Sequence, residues 1–299
     1  MPIRHTQGKQ KVIAIVGPTA SGKSSLGIYL AQKLGGEVIS ADSRQVYRGL
    51  DIGTGKVTKK EMQGVTHHLL DVARPARQFS ADDFVRRAGK AMQRIKLPIV
   101  VGGTGLYVDL LLGRMSYPHV PPNPALRERL ERHNTDKLFA MLRRKDPRRA
   151  ATIEPGHKRR LIRALEIAEA IGASPLQNPR PAYDALWLGL NPTNLPARIR
   201  ARLRARVAAG MVAEAKRLHN PPAGGGLSYA RMDALGLEYR YLARLLQGKI
   251  TKQQFEVALE RAINQYAKRQ RRWFKRNDEI HWVGSKSEAL RLAKAHLSR

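Results

Sequence analysis

KVIAIVGPTASGKS, residues 11–24, runs five consecutive apolar residues, mostly β-branched, into a turn framed by two glycines. The apolar run reads as a buried strand, stopped by Gly17-Pro18. A helix is expected from Lys23 to Leu34, ended by Gly35-Gly36. Gly17 to Ser24 matches G-x-x-x-x-G-K-[ST] at every fixed position, in the strand–loop–helix setting that the motif requires. Glycines let backbone N–H groups curl around phosphate oxygens, and the amino end of the helix adds its dipole. Gly17, Pro18, Thr19, Ala20, Ser21, Gly22, Lys23 and Ser24 thus form a diphosphate cradle. Lys23 supplies a point charge, and Ser24, with Thr19 beside it, offers a hydroxyl to Mg²⁺. Such a loop commonly holds a nucleotide, but it implies diphosphate binding rather than hydrolysis.

Working outward, EVISAD (37–42) is a second strand carrying Asp42 at its carboxyl end, and HHLLDVA (67–73) a short one. Ser80 with Asp83 forms a capping box opening an amphipathic helix to about Lys96. LPIVV (97–101) is a further buried strand, turned by GGTG into the helix LYVDLLLG. Strands alternating with helices imply an α/β fold with a parallel sheet. YPHVPPNP (117–124) has four prolines in eight residues and marks a boundary, after which short arginine-rich helices run to about Gly172. Strand character returns at DALWLGL (184–190), helices follow, and EIHWVG closes with a last strand. NPPAGGGLS (220–228) reads as a loop. The expected architecture is a P-loop NTPase-like core, 1–116 and 184–299, with a small helical insertion, 117–183.

The chain has 299 residues, 55 Lys plus Arg against 24 Asp plus Glu, and a formal charge of +31. Such a balance points to a polyanionic partner, nucleic acid above all. With no cysteine, disulfides and Cys-based metal sites are excluded. The apolar runs are too short for a membrane span, so a cytoplasmic protein that acts as a monomer is expected. A motor NTPase should carry an acid at the end of a neighbouring strand, yet LPIVV ends in Gly-Gly-Thr-Gly. Asp42 is the one acid at a core strand end in this half, at the sheet edge where α/β folds bind ligands. Position alone leaves it open between capping a turn and doing chemistry.

GPTASGKS, ISADSRQVYRGLDIGTGK, HHLLD and GGTGLYVDLLLG, in this order and at these spacings, resemble the tRNA dimethylallyltransferase family. RRLIRALEIAEAIG (159–172), ARIRARLRARVAAGMVAEAKRL (197–218) and QYAKRQRRWFKR (265–276) extend the resemblance over nearly the whole chain. It implies transfer of a five-carbon allylic group from dimethylallyl diphosphate to the exocyclic amine of the adenine 3′ of the anticodon, with Mg²⁺ as cofactor. It also implies a helical insertion gripping the anticodon stem-loop of tRNA. Asp42 would be the base that accepts the amine proton, with Thr19 and Lys23 assisting at the diphosphate. Ser43, Arg44 and Gln45 would hold the adenine and its neighbours, and Thr104 matches a position near the tRNA. Arg159, Arg160, Leu161, Ile162 and Arg163 match a tRNA-contacting segment, Arg127 a further contact, and Arg240 a basic position directed to the diphosphate.

From Met141 to Arg163 nine Lys or Arg stand against two acids. Arg198, Arg200, Arg202, Arg204 and Arg206 alternate with small or apolar residues, surrounding their helix with charge. KRQRRWFKR sets six cations around Trp273-Phe274, read as a phosphate and stacking platform. EPGHK (154–158) departs from the family pattern, and the later motif reads LGLEYR. His67-His68 has no third ligand at suitable spacing and reads as packing or hydrogen bonding. An adenylate isopentenyltransferase, a P-loop small-molecule kinase and an RNA-binding NTPase are the alternatives; none of the first two needs so basic a surface.

Overall fold

The computed structural model describes residues 8–116, 118–175, 181–221 and 225–299. The polar amino terminus (1–7), Tyr117 of the proline-rich boundary, residues 176–180 and part of the glycine loop (222–224) lie outside them. The chain divides into two compact units, Met1–Gly113 with Pro181–Arg299, and Arg114–Arg180.

In chain order the elements are β1 (Lys11–Val16), α1 (Lys23–Leu34), β2 (Glu37–Ser40), α2 (Lys59–Met62), β3 (His67–His68), α3 (Ala81–Met92), β4 (Pro98–Gly102), α4 (Gly105–Leu111), α5 (Pro124–Glu131), α6 (Thr135–Lys145), α7 (Pro147–Ala150), α8 (Lys158–Ile171), β5 (Asp184–Gly189), α9 (Leu195–Ala208), α10 (Met211–His219), α11 (Tyr229–Leu235), α12 (Leu237–Leu246), α13 (Lys252–Phe274), β6 (Ile280–Trp282) and α14 (Lys286–Leu297). The strands make one sheet in the order β3-β2-β4-β1-β5-β6, every neighbouring pair parallel. The central strand β1 sits between β4 and β5, with Ala14 opposite Val100 and Trp187. A strand flanked on both sides and covered on both faces has no solvated edge or face, which is why its residues are apolar without alternation. Val12, Ala14 and Val16 point to a core shared with Phe84, Val108 and Phe274, whereas Ile13 and Ile15 point to one shared with Leu26, Leu30 and Ala293.

Expected and observed bounds coincide for β1 and α1, because glycine and proline punctuate both ends of each. Gly35 ends α1 in the left-handed region at φ +67°, the usual helix stop. The Ser80–Asp83 capping box is formed in both directions, but α3 ends at Met92 rather than near Lys96. HHLLDVA contributes only two residues to the sheet and one isolated bridge, Tyr47 to Ala73. Leu69 and Asp71 adopt positive φ there, at +66° and +55°, which breaks the strand.

α13 buries Phe255, Leu259, Ile263, Ala267, Gln270 and Phe274, a stripe at helical spacing. Phe274 is 1% exposed within the sheet core, and such burial contributes about 1.5–3 kcal/mol. Trp273 packs against the same core and its Nε1 donates to Asp109 Oδ2 at 2.7 Å. Phe274 is therefore core rather than part of the stacking platform expected from its cations, while Trp273 stays half-buried with the Arg276 guanidinium 5.8 Å from its ring centre.

The smaller unit builds its own core from Leu126, Leu130, Leu138, Leu142, Leu161, Ile162 and Leu165. Leu161 and Ile162 are 0% and 4% exposed, so the expectation that they touch tRNA is corrected: apolar side chains at the helical spacing of α8 are spent on packing. Glu166, 1% exposed, accepts Arg127 Nε and Nη2 at 2.9 and 2.8 Å and the backbone N–H of Asn123 at 2.6 Å, and it also pairs with Arg163. These donors hold its carboxyl below the ordinary glutamate range against the effect of burial. Arg127 and Arg163 are thus anchored within the unit, while Arg159 and Arg160 are exposed.

Candidate active site: a diphosphate cradle facing one carboxylate

A cavity of about 480 Å³ opens at the carboxyl ends of β1, β2 and β4 in the larger unit, lined by Thr19, Asp42 and Gly102 as those strands finish. The loop between β1 and α1 forms one wall. Gly17 sits at φ +142°, and a Cβ there would lie 2.3 Å from the carbonyl oxygen of Leu190; glycine is required both for the conformation and for the close approach. Lys23 folds back over the loop, donating to the Pro18 carbonyl at 2.5 Å and reaching Ser21 Oγ at 3.5 Å. Burial first and the Arg202 guanidinium second hold its ammonium down to about 7, and the Asp42 carboxylate pulls the other way. Ser24 is exposed at the start of α1, and Thr19 and Ser24 both line the cavity.

Asp42 follows β2 and lines the same cavity. Its Oδ1 accepts the backbone N–H groups of Arg44 at 2.8 Å and Gln45 at 3.3 Å, an Asx turn that fixes the carboxyl group. Oδ2 makes no hydrogen bond with the described residues. Thr104 Oγ1 accepts the N–H of Ser43 at 3.1 Å, and the Tyr266 hydroxyl belongs to a side chain that lines the same cavity. Burial, and then the charge of Asp42, push that phenol up to about 12. Gln45 is tied by its own amide to Ser40 Oγ at 3.5 Å and to the Gly55 carbonyl at 3.3 Å. Arg44 and Arg240 are on the cavity wall, and Arg240 also pairs with Asp233 at 3.1 Å.

Five Lys or Arg line the cavity (Lys23, Arg44, Arg202, Arg240 and Arg269) against two acids, Asp42 and Glu238, and Glu238 is neutralised by Arg206 at 3.1 Å. The remaining field favours a polyanion. The hydroxyls of Thr19 and Ser24 and the carboxylate of Asp42 are hard oxygen donors, the set that suits Mg²⁺. Among the described residues no group of three or more His, Cys, Asp or Glu is placed to hold a metal. Mg²⁺ bound through one or two protein oxygens and the substrate's phosphates needs no such cage. His68 pairs instead with Glu37 at 2.7 Å, and His67 with the Val65 carbonyl at 2.9 Å.

The structure gives the alternating arginines a role beyond general charge and adds one further residue, Glu214. On α9, Arg198 donates to the Ala20 carbonyl at 2.9 Å, Arg202 to Gly55 at 2.8 Å and Arg206 to Gly53 at 2.8 Å. These three stand four residues apart and share a face toward the phosphate loop and the 53–55 turn; Arg200 turns away to Glu260 at 3.0 Å. The four-residue spacing was there to be read within the alternating run. Glu214 accepts the N–H groups of Asp51, Ile52 and Gly53 at 3.0, 2.7 and 2.9 Å, and the Tyr239 hydroxyl at 2.7 Å, fixing the DIGTGK loop. No local signal marks it.

The model of the family described as IPP transferase matches residues 45–277. The tRNA dimethylallyltransferase of Salinispora arenicola is 40% identical over 292 residues, covering 93% of this chain and 84% of that protein. The crystal structure of the full-length tRNA isopentenylpyrophosphate transferase from Bacillus halodurans superposes with a TM-score of 0.70 at 36% identity, 97% of each chain being covered. A eukaryotic dimethylallyltransferase, captured in crystallographic snapshots acting on tRNA, gives a TM-score of 0.79 at 28% identity over 92% of this chain and 73% of that one. The P-loop core, the carboxylate at the end of β2 and these likenesses agree, and the chain belongs to the IPP transferase family.

Proposed function

We propose that the protein transfers a dimethylallyl group from dimethylallyl diphosphate to the exocyclic amine of the adenine 3′ of the anticodon in tRNA, releasing diphosphate. The observation that carries this reading is the Asp42 carboxylate, the cavity acid not paired to an arginine, sharing one cationic cavity with the phosphate loop, in a chain whose relatives bear that activity in their names. The loop N–H groups and Lys23 bind and orient the diphosphate and stabilise the charge it gains on leaving. As the bond from the amine nitrogen to the allylic carbon forms, the carbon–oxygen bond to diphosphate breaks. The amine proton then passes to the Asp42 carboxylate, which its Asx turn holds in place. Mg²⁺, held by Thr19 and Ser24 when bound, would add charge neutralisation at the leaving diphosphate. One chain supplies both loop and base, which supports the reading of a monomer, and the tRNA substrate named for its relatives supports a cytoplasmic one. Among the described residues no helix is long and apolar enough to cross a membrane.

The acceptor is tested by presenting tRNA lacking the modification beside the same tRNA with guanine in place of that adenine. Labelled dimethylallyl groups are expected in the first only, and equal labelling of both would overturn the acceptor assignment. Arg159 and Arg160 are exposed and on this reading meet the RNA backbone, so binding should respond to salt. Neutralising about four phosphates makes affinity fall about 100-fold between roughly 50 and 200 mM salt. Filter binding over that range checks it, and a flat response would detach the charge from RNA.

A further inference from the structure

Gln270 is the one polar residue in the buried stripe of α13, at 6% exposure. Its amide is used at both ends: Oε1 accepts the backbone N–H of Thr19 at 2.8 Å, and Nε2 donates to the carbonyl of Gly103 at 2.8 Å. The first partner belongs to the phosphate loop, the second to the glycine turn that carries Thr104. A Cβ on residue 103 would lie 2.2 Å from Nε2, so a glycine there is what lets the amide seat. Thr104, the residue after Gly103, in turn holds Ser43, the neighbour of Asp42.

We propose that Gln270 is a positioning residue that sets the distance between the phosphate loop and the Asp42 side of the cavity. The inference rests on the function proposed above and deepens it. The amide spends the Thr19 N–H on the protein and, beyond the last β1–β4 pairing at Val16 and Gly102, ties the two turns to one helix. Because this one side chain braces the phosphate loop against the turn on which Thr104 and the Asp42 segment rest, losing it shifts donor and base relative to each other without removing a group from either. Misplacement of about 1 Å in such a geometry costs on the order of 100-fold in rate.

The test compares wild-type protein, Gln270→Met and Gln270→Glu in transfer from dimethylallyl diphosphate to unmodified tRNA, with kcat and both KM values measured at several pH values. Gln270→Met keeps the length and loses both hydrogen bonds. Its kcat is expected to fall about 100-fold while KM for tRNA stays near wild type. Gln270→Glu keeps the acceptor for Thr19, but its ionised form opposes the Gly103 carbonyl; once protonated it can donate there again. Its activity relative to wild type should therefore rise as pH falls. The charged and ionisable groups that line the same cavity, Lys23, Asp42, Glu238, Tyr266 and Arg269 among them, are common to both proteins, so only the ratio is read. A Gln270→Met kcat within about threefold of wild type, or a Gln270→Glu ratio that is flat with pH, overturns the positioning role; the second criterion stands if the methionine variant does not fold. Wild-type protein without transfer overturns the proposed function, and this role with it, so the two failures are told apart by the wild-type lane.

Discussion

Asparagine in place of Asp42 should leave tRNA affinity near wild type and lower single-turnover transfer about 10²–10⁴-fold, the usual contribution of a positioned general base. Asparagine is the informative substitution. Its Oδ1 can accept the same N–H groups of Arg44 and Gln45 that Asp42 accepts, so the turn survives and only the ability to take a proton is lost. Alanine would confound the two. tRNA binding draws on many cations over a chain of formal charge +31, and one carboxylate contributes little to it. Rapid-quench transfer with saturating tRNA, beside filter binding, checks both halves. Turnover of Asp42→Asn within about threefold of wild type would remove this residue from proton transfer.

Lys23→Met is expected to cost about 10²–10³-fold in transfer, the scale seen when a preorganised donor to a developing anion is lost. It also has a proton signature. In the ligand-free protein the ammonium is held down to about 7, against an ordinary value of 10.5. Between those values the free protein has given up the proton, and diphosphate restores it by supplying negative charge. Binding inorganic diphosphate at pH 8–9 should thus take up protons at Lys23, read by calorimetry in buffers of different ionisation enthalpy. The Lys23→Met variant should lack that increment. The same depression sets a stability trend: the unfolded chain binds this proton up to about 10.5 and the folded one only to about 7. The ligand-free fold therefore gains stability as pH rises through that window and loses it as pH falls toward 7. Equal proton uptake in both proteins would show that Lys23 is already charged.

Much of this site could be read from the chain because its parts are local. β1, the loop from Gly17 to Ser24 and α1 are specified by a β-branched run, two glycines and a helix-forming segment in direct succession. The boxed cap of Ser80 and Asp83 is likewise three residues wide. What could not be read depends on contacts across the fold. Phe274 lies among six cations in KRQRRWFKR, and only the four-residue rhythm beginning at Phe255 shows that it faces inward. Gln270 looks like one more solvated residue until two turns 251 and 167 positions away claim its amide. Arg198, Arg202 and Arg206 were legible as charge but not as a wall of the loop, because the intervening Arg200 and Arg204 mask their common face. Leu161 and Ile162 matched a tRNA-contacting segment in order, yet a helix buries one face of any such segment, and theirs is the buried one.

The central claim is that the cradle holds the leaving group of an allylic donor rather than a phosphate to be transferred. The most direct measurement is one turnover with dimethylallyl diphosphate carrying ¹⁴C in the allylic group and ³²P in the diphosphate, with unmodified tRNA and Mg²⁺. The expected result is carbon label in the RNA, phosphorus label in free diphosphate, and one diphosphate released per group transferred. Phosphorus label in the RNA, or RNA labelled from ³²P-ATP while the carbon label stays in solution, would contradict it.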